Sequence, residues 1–312
     1  MHSSDLPLPR SPLLLAGATA VGKSRVALLL AEWLDGEIIS VDSMQVYRGL
    51  DIGTGKPTLA EQQRVPHHLI DVVDVTESFD AAQFVRRARS AVAEIQGRGR
   101  VPILCGGTGL YFRAFLQGLG DAPPGDAFLR LELEALPLPD LLKELEERDP
   151  ATFQAIDQKN HRRVLRAVEV IRLTGRPFSV QRAPWTRPVV TGSASPRFFG
   201  LARTPSDLQD RIDARVDQMF ERGLVKETEA LLVRRLDQNQ TAMQAIGYRQ
   251  VVEHLRGERS LSDTIGLVKL RTRQYAKRQR TWFRRQPQIE WLLVSSQETH
   301  EAIAERVIAE CR

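Results

Sequence analysis

Leu13-Leu14-Leu15-Ala16-Gly17-Ala18-Thr19-Ala20-Val21-Gly22-Lys23-Ser24 is the stretch on which the reading of this chain turns. An apolar run ends in Gly-x-x-x-x-Gly-Lys-Ser, and a helical pattern starts at Arg25. That is the strand, loop and helix order of a phosphate-binding P-loop. The glycines let successive backbone N–H groups face one concavity. The helix behind them adds its unbonded first N–H groups and the positive end of its dipole. Lys23 supplies a mobile cation, and the Ser24 hydroxyl a ligand for Mg²⁺. A plain glycine turn between a strand and a helix is the competing reading; the Lys-Ser ending and the flanking pattern speak against it. The loop alone does not say whose phosphates it holds.

The 312 residues suffice for one large domain or two moderate ones, and 42% apolar with 27% charged residues describes a globular chain with a packed core. No apolar run approaches the roughly 20 residues that span a bilayer. No secretory pattern opens the chain, where Pro7 and Pro9 point to a short extended leader, so a cytoplasmic location is expected. Cys105 and Cys311 sit far apart without metal-ligand spacing, and Cys105 falls in an apolar run as a buried small hydrophobe. A net charge of +5 does not by itself argue for nucleic acid. Its distribution matters more: eight basic residues and no acidic one lie between Lys269 and Arg285.

Outward from the loop, Val26, Leu29, Leu30 and Trp33 recur at helical spacing over 25–34, with Gly36 as the stop. Residues 37–41 read as a buried strand that delivers Asp42-Ser43-Met44-Gln45 to its carboxyl end, where open α/β sheets bind ligands. Residues 49–57 are loop-like, and their Lys56 either touches phosphate or is solvated. A strand is expected over 66–73, a helix over 80–96, and a strand over 101–105 ending in Gly106-Gly107-Thr108-Gly109-Leu110-Tyr111. His67 and His68 point to opposite sides of an extended chain and do not read as a metal pair. This alternation predicts a doubly wound parallel sheet. Gly118–Pro124 reads as a linker and 126–175 as helices throughout, and Pro177, Pro184 and Pro188 break the stretch up to residue 192. The sheet resumes at 197–202. Helices come next over 204–222, 224–235, 243–256 and 260–285, then a strand at 289–294 and a helix at 297–310. The expected organisation is an α/β core of residues 1–119 and 187–312, with a helical insertion at 120–186.

On the long helix, Arg273, Lys277, Arg280 and Arg284 form one stripe, Arg271, Arg278 and Arg285 a second, and Tyr275 and Trp282 lie between them. A basic stripe interleaved with aromatics suits a phosphate backbone with splayed bases. A solvated charged helix is the alternative, but such helices normally interleave glutamates. Asp42 has several readings: a base or Mg²⁺ orienter in phosphoryl transfer, a turn cap, or a base taking a proton from an exocyclic amine. Gln45 beside it carries the donor and acceptor pair that reads a base edge. A nucleoside triphosphatase would also need an apolar strand ending in Asp, and 101–105 ends in Gly-Gly-Thr-Gly instead. The residues alone leave a P-loop transferase that binds nucleic acid, with a kinase of a small molecule or polynucleotide as the alternative.

The P-loop, Asp42-Ser43-Met44-Gln45-Val46-Tyr47, Asp51-Ile52-Gly53-Thr54-Gly55-Lys56-Pro57, Gly106-Gly107-Thr108-Gly109-Leu110-Tyr111, Arg166-Ala167-Val168-Glu169-Val170, Gly247-Tyr248-Arg249-Gln250 and Lys277-Arg278-Gln279-Arg280-Thr281-Trp282-Phe283 occur in this order. Together they resemble the bacterial tRNA dimethylallyltransferases, over nearly the whole chain. The resemblance implies a P-loop NTPase-like fold and transfer of a dimethylallyl group from its diphosphate to N6 of adenosine 37, in tRNAs reading codons that begin with U. It implies that Gly17, Ala18, Thr19, Ala20, Val21, Gly22, Lys23 and Ser24, with Arg215, hold the donor's diphosphate rather than ATP, although the motif carries a nucleotide-binding label. Mg²⁺ would sit on Ser24. Asp42, Thr108 and Lys23 would be catalytic, with Asp42 taking the N6 proton. The tRNA anticodon stem-loop would be met by Asp42, Ser43, Met44, Gln45 and Thr108. The insertion would add Arg130, Arg162, Arg163, Val164, Leu165 and Arg166. Gln244, Ala245, Ile246, Gly247, Tyr248 and Arg249 would join them, then Lys277, Arg278, Gln279, Arg280, Thr281, Trp282, Phe283 and Arg284. The resemblance further implies an insertion that swings about the tRNA. A monomer without a membrane partner is expected.

Overall fold

The computed structural model describes residues 11–183 and 196–311. The expected leader around Pro7 and Pro9, the stretch around Pro184 and Pro188, and the expected 186/187 boundary lie outside them. Contacts gather the described residues into two compact units, those within Met1–Phe115 and Val190–Arg312 in one and those within Leu116–Val189 in the other.

The first unit is built on strands β1 (Leu13–Gly17), β2 (Gly36–Val41), β3 (His67–His68), β4 (Val101–Gly106), β5 (Arg197–Ala202) and β6 (Glu290–Leu293). They form one sheet ordered β3-β2-β4-β1-β5-β6 with every pairing parallel. Parallel neighbours need crossovers, and the early helices are α1 (Lys23–Trp33), α2 (Leu59–Arg64), α3 (Ala81–Gly97) and α4 (Gly109–Gln117). In the second unit, α5 (Ala127–Glu134), α6 (Leu138–Arg148), α7 (Pro150–Ala155) and α8 (His161–Thr174) close on their own core of Leu133, Leu141, Leu145, Val164, Val168 and Ile171. Back in the first unit come α9 (Pro205–Glu221), α10 (Leu224–Val233), α11 (Tyr248–Leu255), α12 (Leu261–Phe283) and α13 (His300–Glu310).

Both faces of the sheet are covered, which is why β1 and β4 read as unbroken apolar runs, while β2 buries Glu37 and Ser40 among its apolar residues. Leu13, Leu15, Ile38, Ile103 and Phe199 pack on one side with Val26 and Leu30 of α1, Ile212 of α9 and Val307 of α13. On the other, Phe198 meets Phe112 of α4 with ring centroids 5.0 Å apart, and Phe112 meets Phe283 of α12 at 5.9 Å. From β1 the chain steps one way along the sheet to β2; from β4 it steps the other way, past β1, to β5. The carboxyl ends of β1 and β4 therefore flank the switch point, the place where such sheets bind ligands.

Four sequence expectations change. The strand over 66–73 shrinks to His67–His68, because Leu69 and Asp71 take φ of 60° and 55°, outside the extended region. Helix α1 begins at Lys23 rather than Arg25, so Lys23 and Ser24 form its first turn; Gly36 opens β2 rather than stopping the helix. Helix α11 begins at Tyr248 rather than residue 243, because Gly247 at φ 104° interrupts the turn before it. Ser260 caps α12, accepting a hydrogen bond from the Asp263 N–H.

Candidate active site

The P-loop leaves β1 at Gly17 and turns through Ala20 (φ 63°) and Gly22 (φ 107°) into α1. The N–H groups of Lys23 and Ser24 have no carbonyl one turn back to accept them. The loop's carbonyls are held by side chains. Lys23 Nζ donates to Ala18 O (3.2 Å), Arg211 Nε to Ala20 O (3.1 Å) and the buried Arg203 Nε to Val21 O (2.9 Å). Gln279 of α12 joins the P-loop to the loop after β4: its Oε1 accepts from Thr19 N–H (2.9 Å) and its Nε2 donates to Gly107 O (3.0 Å). A Cβ on Gly107 would stand 2.2 Å from that nitrogen, so the bridge requires glycine there.

A cavity of about 320 Å³ opens beside the loop, lined by Thr19, Lys23, Ser24, Asp42, Arg215 and Tyr275 among others. Burial pushes the Lys23 ammonium below its ordinary value, and the nearby Arg215 adds to the depression. Burial also lowers Arg215, against the pull of Asp42. Two cations held at a cost in one cavity favour an anion between them. Tyr275 is raised above the usual phenol range by burial first and by the Asp42 charge second. Asp42 Oδ1 accepts from Met44 N–H (2.8 Å) and Gln45 N–H (3.3 Å), which fixes the carboxylate.

The cavity has a polar and an apolar end. Helices α9 and α12 run antiparallel beside it, registered by Asp217–Lys269 (2.7 Å) and Asp213–Arg273 (3.3 Å). Gln279 of α12 marks the P-loop end, and Val268, three turns away, lies at the level of Met219 on α9. Val216, Met219 and Val268 line the cavity at this level, and Ala245 and Ile246 add to its apolar lining.

Several residues expected to meet RNA have other work. Gln45, expected to read a base edge, has both ends engaged: Oε1 accepts from Ser40 Oγ (2.8 Å) and Nε2 donates to Thr54 O and Gly55 O. Thr108 Oγ1 accepts from Ser43 N–H (3.1 Å), so it positions the loop carrying Asp42. Ala245, Gly247, Tyr248, Gln279 and Phe283 are buried. Val164 and Leu165 belong to the second unit's core. There, Arg130 and Arg166 bind the buried Glu169 at 2.7 and 2.6 Å, and Arg166 also donates to Pro123 O. Burial works against the Glu169 charge, but the two guanidinium groups outweigh it and hold the carboxyl below its usual range. Lys56 is neither a phosphate contact nor solvated. Its buried ammonium bonds Tyr47 O, Asp51 and Asp71. Ser43, Met44, Ile246, Arg280 and Trp282 stay half-buried, and Arg162, Arg163, Gln244, Arg249, Lys277, Arg278, Thr281 and Arg284 are exposed. Among the described residues, Lys277, Arg278, Arg284 and Arg285 have no carboxylate partner, whereas Arg273 pairs with Asp213. Arg278 lies over the Tyr275 ring at 5.7 Å.

The sequence gives no role to Glu227, Arg203 or Arg211. Glu227 accepts from Ile52 N–H (3.0 Å) and from Tyr248 Oη (2.6 Å), and so anchors the 51–55 loop on α10. That loop packs Gly55 against Arg215, where a Cβ would come within 2.1 Å of the guanidinium. All three act across long sequence separations and carry no motif of their own.

A family model described as IPP transferase matches residues 45–286. The tRNA dimethylallyltransferase 1 of Trichlorobacter lovleyi is 46% identical over 288 residues, spanning 90% of this chain and 92% of that protein. The tRNA dimethylallyltransferase of Pelotomaculum thermopropionicum is 41% identical over 311 residues, spanning 97% and 96%. Among solved structures, the full-length tRNA isopentenylpyrophosphate transferase of Bacillus halodurans superposes with a TM-score of 0.69 at 40% identity, covering 97% of each chain. A eukaryotic dimethylallyltransferase acting on tRNA superposes at 0.79 with 30% identity, covering 96% of this chain and 77% of that one.

Proposed function

The chain belongs to the IPP transferase family, and on that premise we propose that it transfers a dimethylallyl group from dimethylallyl diphosphate to N6 of adenosine 37 in tRNAs reading codons that begin with U. The observation that carries this reading is the convergence of two half-buried cations, Lys23 and Arg215, with one carboxylate, Asp42, in a single cavity at the sheet's switch point.

The diphosphate lies against the P-loop, with its charge met by Lys23, Arg215 and the first N–H groups of α1. The adenosine leaves the anticodon-loop stack at a cost of a few kcal/mol and enters beside Asp42. N6 attacks C1 of the prenyl group. The C1–O bond breaks with its electron pair passing to the diphosphate, and the N6 proton goes to the Asp42 carboxylate. Negative charge grows on the leaving group, where the cations already stand, so little reorganisation is needed. Asp42 keeps its aim because Oδ1 is tied to two backbone N–H groups and Thr108 fixes Ser43. No ATP is required, since the donor brings its own leaving group.

Hard oxygen donors, the Ser24 hydroxyl and the Asp42 carboxylate, line the cavity, and the described residues offer no His/Cys/Asp/Glu cluster that could cage a metal. That set fits Mg²⁺, which takes most of its ligands from phosphate and water. Bound at Ser24, it would neutralise part of the diphosphate charge. Lys277 and Arg278 of α12, with Arg284 just after it, would take the anticodon-loop backbone, and Arg162 and Arg163 of the insertion the stem. No described helix is long and apolar enough to cross a membrane. We infer a cytoplasmic monomer.

Radiolabelled dimethylallyl diphosphate incubated with the protein, Mg²⁺ and tRNA bearing adenosine at position 37 is expected to label the tRNA. A folded protein that leaves the tRNA unlabelled, or that labels an acceptor from ATP instead, overturns the proposal.

A further inference from the structure

Arg215 and Met219 are one turn apart on the same face of α9, and both line the cavity. The Asp217–Lys269 and Asp213–Arg273 pairs fix α9 antiparallel to α12, which sets Met219 level with Val268. From Gln279, which touches the P-loop, to Val268 is eleven residues of α12, about 16 Å along the helix axis. One axis therefore runs from the phosphate loop, past Asp42 and Arg215, to an apolar wall. A donor held by its diphosphate at the first end must point its hydrocarbon at the second.

The wall residues are not equivalent. Val216 and Val268 are each 1% exposed and belong to the core under the sheet, where they also pack against other side chains. Met219 is only half-buried and outside that core. It is unbranched, with three rotatable bonds, so it can fold down over the end of a short chain. Resting on the transfer reading above, we infer that Met219 is the specificity-determining residue for the length of the prenyl chain: it stops the cavity at five carbons and excludes the ten-carbon geranyl donor.

The test compares dimethylallyl diphosphate with geranyl diphosphate on the same tRNA, using wild type, Met219→Ala, Met219→Gly and Met219→Phe. The readout is the ratio of kcat/KM for the two donors within each protein, so a partial loss of folded enzyme cancels. Wild type is expected to favour the five-carbon donor strongly. Met219→Ala and Met219→Gly are expected to shift the ratio toward geranyl by about tenfold or more. Met219→Phe should lower kcat/KM for the five-carbon donor with the KM for tRNA unchanged. Wild-type transfer of dimethylallyl combined with an unshifted ratio in both small variants overturns the length-limit inference and leaves the transfer reading standing. Absence of transfer by wild type overturns the transfer reading itself.

Discussion

Asp42→Asn separates the proton-accepting role of this residue from its structural one. Asp42 Oδ1 accepts from the N–H groups of Met44 and Gln45 at 2.8 and 3.3 Å. An asparagine can keep both bonds through its carbonyl oxygen and places a neutral amide where Oδ2 stood. The turn and the cavity then survive, and what disappears is the ability to take a proton. General base catalysis is worth about 10²–10⁴ in rate, or roughly 3–5 kcal/mol of the barrier. The expected result is that loss in kcat, with the KM for donor and the affinity for tRNA within about threefold of wild type. Asp42→Ala also strips the two N–H groups of their acceptor and should cost a further 1–3 kcal/mol of stability, roughly, if those groups are left unpaired. Single-turnover transfer and urea denaturation on both variants make the comparison. Asp42→Asn turning over near the wild-type rate would refute the assignment. So would a loss of activity that tracks a loss of folded protein in both variants equally.

Other consequences can be checked the same way. Gln279→Leu should leave Thr19 N–H and Gly107 O without partners, lowering stability by about 1–3 kcal/mol and raising the KM for donor, with Gln279→Glu restoring only the Thr19 bond; an unchanged donor KM in Gln279→Leu would count against the bridge. Glu227→Ala should loosen the 51–55 loop that packs on Arg215 and weaken donor binding more than tRNA binding, which equilibrium titration of each would show. Glu37, at the amino end of the sheet, is buried, but hydrogen bonds from Arg98, His68 and Arg100 outweigh that burial and hold its carboxyl at about 2 instead of 4.5. Because the folded value is the lower one, its stabilisation is complete above 4.5 and is lost as pH falls from there toward 2, up to about 3 kcal/mol. Glu37→Gln should therefore flatten the acid limb of a denaturation-versus-pH curve, and an unaltered limb would contradict this.

The parts legible in sequence are those written locally. The P-loop and the apolar runs of β1 and β4 each depend on residues within one turn or strand, so spacing suffices to find them. β3 was overestimated because two residues with positive φ, Leu69 and Asp71, are neither Gly nor Asn and give no composition signal. Lys23, Asp42 and Arg215, named from the sequence, line one cavity, whereas the residues that support that cavity were obscure. Gln279 reaches Thr19 across 260 positions and Glu227 reaches Ile52 across 175, distances over which no periodicity speaks. Basic stripes also hide their pairing: Arg273 and Lys277 look alike on a helical wheel, yet only one faces Asp213.

The central claim is that the P-loop clamps a leaving group while an RNA amine attacks the carbon bound to it. Its most direct measurement is mass spectrometry of nucleosides digested from tRNA after incubation with the protein, Mg²⁺ and dimethylallyl diphosphate, with no ATP present. The account predicts one adenosine per tRNA heavier by a dimethylallyl group in place of a hydrogen, mapped next to the anticodon, with inorganic diphosphate released in equal amount. Unmodified adenosine from well-folded protein, or a modified nucleoside that forms only when ATP is added, would contradict it.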